Sequence, residues 1–166
     1  MNDGLTDALR HNSWVSNELL QRSKDLTEEQ LDTVVPGVYG SIIATFRHYI
    51  RSEAGYYRRL TGDEPEWLRA EDAPDIAELI RRNNDMAARW EHFLEQPFDA
   101  ERTHEMQWHD GTTRDVPAGV VLAQAIHHGS DHRSQICTML TVLLGQELPP
   151  MGLWDWAETT GRARLR

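Results

Sequence analysis

Four stretches of this chain carry apolar residues at three- and four-residue spacing, with proline and glycine between them, a pattern that specifies helices packed on one another. In the first, Leu5, Ala8, Leu9, Asn12, Val15, Ser16, Leu19 and Leu20 share a face, which predicts helix one over roughly 3–24. After Pro36, Gly37 and Gly40, Ser41 can cap a second helix over roughly 41–60, with Gly62 as its C′ residue. Pro74 and Asp75 suit the first turn of a third helix, roughly 74–95, whose stripe runs from Ile76 through Asn83 and Trp90 to Leu94 before Pro97. The fourth and longest starts near Pro117 and runs to Leu144, where Gly145 and then Pro149-Pro150 stop it.

Between the third and fourth stretches, Met106, Trp108, Thr112 and Val116 flank Asp110-Gly111, a dipeptide favoured in two-residue hairpin turns, so a small β-hairpin is expected there. No repeat, low-complexity tract or flexible linker divides the chain, which makes 1–166 one domain. The expected fold class is all-α: a four-helix bundle whose third-to-fourth connection, about 20 residues long and bearing the hairpin, can cross the bundle. A chain of 166 residues buries roughly 70% of its unfolded surface, so a metal is not needed to hold it together and has to be argued as function.

Seventeen Lys and Arg stand against 27 Asp and Glu, and the resulting charge of −10 repels phosphate backbones and anionic headgroups. Neither nucleic acid nor a membrane is an expected partner. Cys137 is the only cysteine, which excludes an intrachain disulfide or a CxxC pair and fits a reducing cytoplasm. The N-terminal sequence lacks a basic and then apolar leader, and no stretch approaches about 18 uninterrupted apolar residues, so a soluble, unprocessed cytoplasmic protein is expected.

Phosphate-binding glycine loops, a GxSxG elbow and HExxH are all missing, and the single Glu-x-x-His, Glu101 to His104, falls in the hairpin region. What remains is His128-Gly-Ser-Asp-His132 within helix four. Residues four apart project from one side of a helix, near enough for two imidazoles to share an ion. This side also carries Val121, Ala125, Ile136, Met139 and Leu143, so the pair faces the core, and each ring nitrogen left without a partner there costs roughly 1–3 kcal/mol. A bound metal is one answer to that cost. A third ligand is sought on helix two, where Ile42, Ile43, Phe46, Tyr49, Ile50, Tyr57 and Leu60 form the apolar face and Arg47, Arg51 and Arg58 a wet stripe. His48 lies on neither; it shares a strip with Ser41, Ala44, Thr45, Ser52 and Gly55, small residues that leave room for the ring to reach across the bundle.

The segments Thr45-Phe46-Arg47-His48-Tyr49-Ile50-Arg51-Ser52-Glu53, His128-Gly-Ser-Asp-His132-Arg133-Ser134-Gln135-Ile136 and Leu153-Trp154-Asp155-Trp156-Ala157-Glu158 resemble those of the DinB-like metal-binding four-helix proteins. The likeness extends over nearly the whole chain, including Trp14, Asn17 and the hairpin, with Ser134 standing where that family commonly has glycine. It implies that His48, His128 and His132 coordinate a divalent metal, zinc or nickel, with positions left open for water or substrate. It also implies a homodimer and, for some members, metal-dependent transfer to, or isomerisation through, a low-molecular-weight thiol. Three imidazoles and an open position make a catalytic type of zinc site, and Asp131 and Cys137, the nearby candidates for a closing ligand, project away from the pair.

The expected function is therefore an enzyme in which the ion activates a low-molecular-weight thiol or water against a small electrophilic substrate, as a thiol S-transferase, isomerase or hydrolase. The alternative is a non-catalytic metal-binding or stress-associated dimeric protein. Catalytic side chains beyond the ligands are not assigned. Glu53, Arg133, Asn12 and Ser16 are candidates for the pocket or for supporting the ligands, with Glu53, on the apolar face of its helix, expected to pair with an arginine such as Arg133. His11, His92, His104 and His109 are read as solvated, His127 as a surface or dimer residue, Cys137 as a small packing residue, and Trp14, Trp154 and Trp156 as packing residues. The terminal Gly-Arg-Ala-Arg-Leu-Arg is read as a solvated end.

Overall fold

A computed structural model describes residues 3–108 and 110–164. Along them run α1 (Asp3–Arg22), α2 (Glu28–Leu31), α3 (Ile42–Thr61), α4 (Ile76–Leu94), β1 (Thr103–Gln107), β2 (Thr113–Pro117), α5 (Ala118–Leu144) and α6 (Leu153–Thr159), with a 3₁₀ turn at Glu66–Arg69. The protein is thus mostly helical with one antiparallel hairpin. The four periodic stretches are α1, α3, α4 and α5. Helix α2 and the 3₁₀ turn lie in segments expected to be connections, and α6 in the terminal segment beyond Pro149-Pro150, because one or two turns are too short for periodicity to reveal. Local bonds form α2 instead: Thr27 Oγ1 accepts from the Gln30 amide at 3.2 Å while Gln30 Oε1 accepts from the Thr27 amide at 2.9 Å.

Side-chain caps set the starts of α2, α3 and α4. Ser41 Oγ accepts from the Ala44 amide at 3.3 Å, and α3 ends at Gly62 with φ 79°, a left-handed cap that glycine adopts without a Cβ clash. The start of α4 departs from expectation. Asp75 is extended and its carboxylate accepts from the Glu78 amide at 2.8 Å, so the helix opens at Ile76 and Pro74 precedes the cap instead of filling the first turn. In the hairpin Gln107 pairs with Thr113, so Asp110-Gly111 sits within a wider loop and not a two-residue turn; Asp110 Oδ1 holds that loop by accepting from the Thr112 amide and hydroxyl at 2.9 and 2.6 Å. His109 lies outside the described residues.

Helix α3 packs against α5 and α4, and α1 against α4, α5 and α6. Phe46, Tyr49 and Ile50 of α3, Leu79, Met86 and Trp90 of α4, Ile136 and Leu140 of α5 and Leu9 and Leu19 of α1 are all buried in the shared core. Each such side chain contributes roughly 1.5–3 kcal/mol relative to leaving it in water. No described helix is long and apolar enough to cross a membrane.

Several surface readings change. His11 is half-buried, not solvated: its Nε2–H donates to the Met151 carbonyl at 3.0 Å and its ring meets Trp14 and Trp156. His104 is also half-buried, because it alternates inward on β1. His92 and His127 are exposed, as expected. Trp156 and Trp14 pack, but Trp154 is 83% exposed, since on the short α6 only one of the two tryptophans can face α1. Arg162 pairs with Asp7 at 3.1 Å, fastening the segment after α6 to α1.

Candidate metal centre

His128 and His132 lie one turn apart on the side of α5 that faces α3, where His48 meets them. One nitrogen from each ring lies within 4.8 Å of the other two. The tightest approach is His48 Nε2 to His128 Nε2, 3.2 Å. Ligands about 2.0–2.1 Å from a tetrahedral ion stand about 3.3 Å from one another, so this pair already has the spacing of two donors on one metal. The rings are not stacked in parallel: His48, His128 and His132 meet at interplanar angles of 56°, 80° and 73°, so their nitrogens converge from different directions. The donor set, imidazole nitrogen on all three sides, suits a borderline divalent ion.

Protonation favours the same role. Burial, with His132 close by, lowers the His48 imidazole below its ordinary range. Burial again, then the neighbouring His132 and His48, push His128 down to about 4, so both rings are neutral near pH 7 and offer lone pairs.

His132 is oriented by Gln135. Gln135 Oε1 accepts from the Tyr39 amide at 3.1 Å, which identifies it as the oxygen; it therefore also accepts, and His132 Nδ1–H donates to it, at 3.2 Å. That fixes the proton on Nδ1 and turns the Nε2 lone pair toward the other rings, the support that metal-binding histidines characteristically have. Tyr39 in addition stacks on His48 at 4.2 Å and stands edge-on to His132 at 5.1 Å, while Tyr56 stands edge-on to His128 at 5.7 Å. Tyr39, Tyr56 and the orienting role of Gln135 were not anticipated. Gln135 had a signal, three residues beyond His132 on one helix face; Tyr39 sits among glycines with no periodicity to mark it.

Asp131 and His127 are exposed and turned away, and Cys137 is half-buried, its thiol pushed up by burial. Glu53, Arg133, Asn12 and Ser16 come together in a buried cluster beneath the trio, and none of them hydrogen-bonds a ring of it. The expected Glu53–Arg133 ion pair does not form at contact distance. Glu53 Oε1 instead accepts from Trp90 Nε1 at 2.7 Å and Asn12 Nδ2 at 3.3 Å, so its partners come from α4 and α1. Burial raises the Glu53 carboxyl, opposed by these bonds and by the charge of Arg133. Arg133 Nη1 donates to Ser16 Oγ at 3.5 Å and runs against Gly129, where a Cβ would lie 2.6 Å from Nη1 and 3.0 Å from Asn12 Oδ1. A glycine between the two α5 histidines thus makes room for the buried guanidinium. Asn83 also bridges helices, its Nδ2 donating to the Ser13 carbonyl at 3.3 Å.

A helical protein with three convergent histidines able to hold a metal ion is the class that this geometry defines. Residues 1–163 match the model of the DinB family, and the chain belongs to that family. No curated protein matches it significantly.

Proposed function

We propose that the chain is a single-domain four-helix bundle, residues 1–166, whose His48, His128 and His132 ligate one divalent ion, zinc or nickel, and that it is a cytoplasmic metal-dependent enzyme. The reaction class is that of a thiol S-transferase, isomerase or hydrolase acting on a small electrophile. The single observation that supports this most strongly is the convergence of three ring nitrogens within 4.8 Å on two helices. Such an ion supplies Lewis acidity that lowers the pKa of water or a low-molecular-weight thiol toward neutrality. The chain's own residues do the rest. Gln135 holds the His132 proton on Nδ1, Tyr39 and Tyr56 wall the rings, and the cluster of Glu53, Arg133, Asn12 and Ser16 ties α1, α3 and α5 together so that the three ligands keep their places.

The test is metal analysis of the untagged protein and of His48→Ala, His128→Ala and His132→Ala. One ion per chain is expected in the parent, and near-complete loss with retained helicity in each variant. A variant that keeps stoichiometric metal overturns its ligand assignment. A screen of the zinc- and nickel-loaded protein with low-molecular-weight thiols and electrophiles then separates an enzyme from a metal-binding protein without catalysis. Homodimerisation belongs to either reading, and it is supported by Trp154 at 83%, Val142 at 62% and Leu153 at 46% exposure near the C-terminal end of the helical array.

A further inference from the structure

Beyond the histidines, the contact between α3 and α5 continues toward the hairpin. Tyr39, just before α3, meets Gln135, whereas Tyr56 and Arg59 late in α3 share a cavity with Val120, Val121 and Gln124 early in α5, so the two helices run in opposite senses. This cavity has a volume of about 540 Å³. Trp108 and Val116 of the hairpin close it on one side and Val120 and Val121 on another, leaving Arg59, Gln107 and Gln124 as polar points in mostly apolar walls, with Arg59 the one charged group among the described residues that line it. Tyr56 is the partition: it lines the cavity and its ring stands edge-on to His128.

Arg59 is the cationic member. Of the arginines near it, Arg58 and Arg69 are both neutralised by Glu64, whereas Arg51 donates to the Ala70 carbonyl at 3.1 Å and, like Arg59, is paired with no carboxylate among the described residues. Arg59 has no carboxylate within ion-pair distance among the described residues; its Nη1 donates only to the Gly55 carbonyl of its own helix, at 3.1 Å. It also lines a second cleft of about 400 Å³ with Arg51 and Ser52, one turn from His48, and the one acid there, Glu64, is already held. An apolar chamber with one unneutralised guanidinium is matched by an apolar molecule with one anionic group.

We infer that this chamber seats the substrate and selects an apolar organic acid, its hydrocarbon body against Trp108 and the valines and its carboxylate on Arg59, with the other end reaching past Tyr56 to the histidines. His48 and Arg59 are separated by about 16 Å of helix, so the ligand spans on the order of 10–15 Å from carboxylate to reacting end. The chemistry at that end rests on the proposed function; the binding preference does not.

Calorimetry on the metal-free protein tests this with 4-phenylbutyrate and 4-phenyl-1-butanol, so that no ion can capture the carboxylate. The acid should bind at least tenfold more tightly than the alcohol. Arg59→Gln should erase that difference while leaving the alcohol's affinity within twofold, and Val120→Trp, at a position 55% exposed and tolerant of size, should abolish binding of both. Equal affinities in the parent, no binding of either probe, an acid preference that survives Arg59→Gln, or binding that survives Val120→Trp overturns the inference. Metal content measured on the same variants separates the two readings: parent protein that takes up no metal refutes the proposed centre and leaves the chamber standing, whereas normal metal uptake with no acid preference does the reverse.

Discussion

Replacing Gln135 with leucine isolates the support of the metal centre from its ligands. The side chain keeps similar bulk but removes the oxygen that accepts from His132 Nδ1 at 3.2 Å and the Tyr39 amide at 3.1 Å. His132 is only 8% exposed, so its Nδ1–H loses a partner in a place water reaches poorly. An unsatisfied buried donor costs about 1–3 kcal/mol, and loss of an outer hydrogen bond to a ligating histidine characteristically costs 10–100-fold in metal affinity, or about 1.4–2.7 kcal/mol. The two routes agree. Competition between the protein and a chromophoric zinc chelator should therefore show Gln135→Leu with a Kd raised by 10–100-fold, against near-complete loss for His132→Ala, while far-ultraviolet circular dichroism stays unchanged. A Kd within twofold of the parent would refute the reasoning that Gln135 orients His132 for an ion.

Acid should act through His128. Its folded pKa of about 4 lies below the ordinary 6.5, so between those values the unfolded state binds more protons and metal-free stability falls as pH drops through that window. Urea midpoints recorded from pH 7 to 4 should show this decline flattened in His128→Gln, and an identical slope in both proteins would count against it. Bound metal should be released over the upper part of the same range, because protons compete for the imidazoles, and retention at pH 4.5 would point to carboxylate ligands. Trp90→Phe removes the 2.7 Å donor to buried Glu53 and should cost about 1–3 kcal/mol in urea unfolding, with a cost under 0.5 kcal/mol showing the bond to be dispensable. Trp154→Ser should leave the unfolding midpoint in place yet halve the mass seen by light scattering at micromolar concentration; a parent that is monomeric over a hundredfold dilution removes the dimer from the proposal.

How much could be read in advance depended on how each feature is encoded. His128 and His132 were legible because helical spacing fixes their common direction, and His48 because small neighbours on its strip, Ala44, Ser52 and Gly55, leave room for its ring to reach across the bundle. The burial of Glu53 was equally plain from its place between Ile50 and Tyr57. Its partner was not, since charge pointed to Arg133 while the nearest donor is the indole of Trp90, a residue that periodicity counts only as apolar. Tyr39 was hidden for a different reason: it is brought over the histidines by the path of a glycine-containing connection, and such a path depends on the packing of α3 against α5, not on nearby sequence. Helix α2 and the opening of α4 turned on single side-chain caps, which shift a boundary without altering the apolar pattern.

The placement of α1 sets an order on synthesis. Its packing partners are chiefly α4, α5 and α6, and its fastenings reach to Met151 and Arg162, so nearly everything that shelters its apolar face is translated long after it. At about 5–20 residues per second the exposed stripe of Leu9, Val15, Leu19 and Leu20 waits several seconds on the ribosome for cover, a window in which a chaperone has a ready target. Helices α3 and α4, neighbours in sequence and in space, can meet during that interval. A circular permutant that begins at residue 33 and places α1 after α6 would deliver the first helix to partners already made, and should reach its native state in cell-free translation with less dependence on chaperones than the parent order.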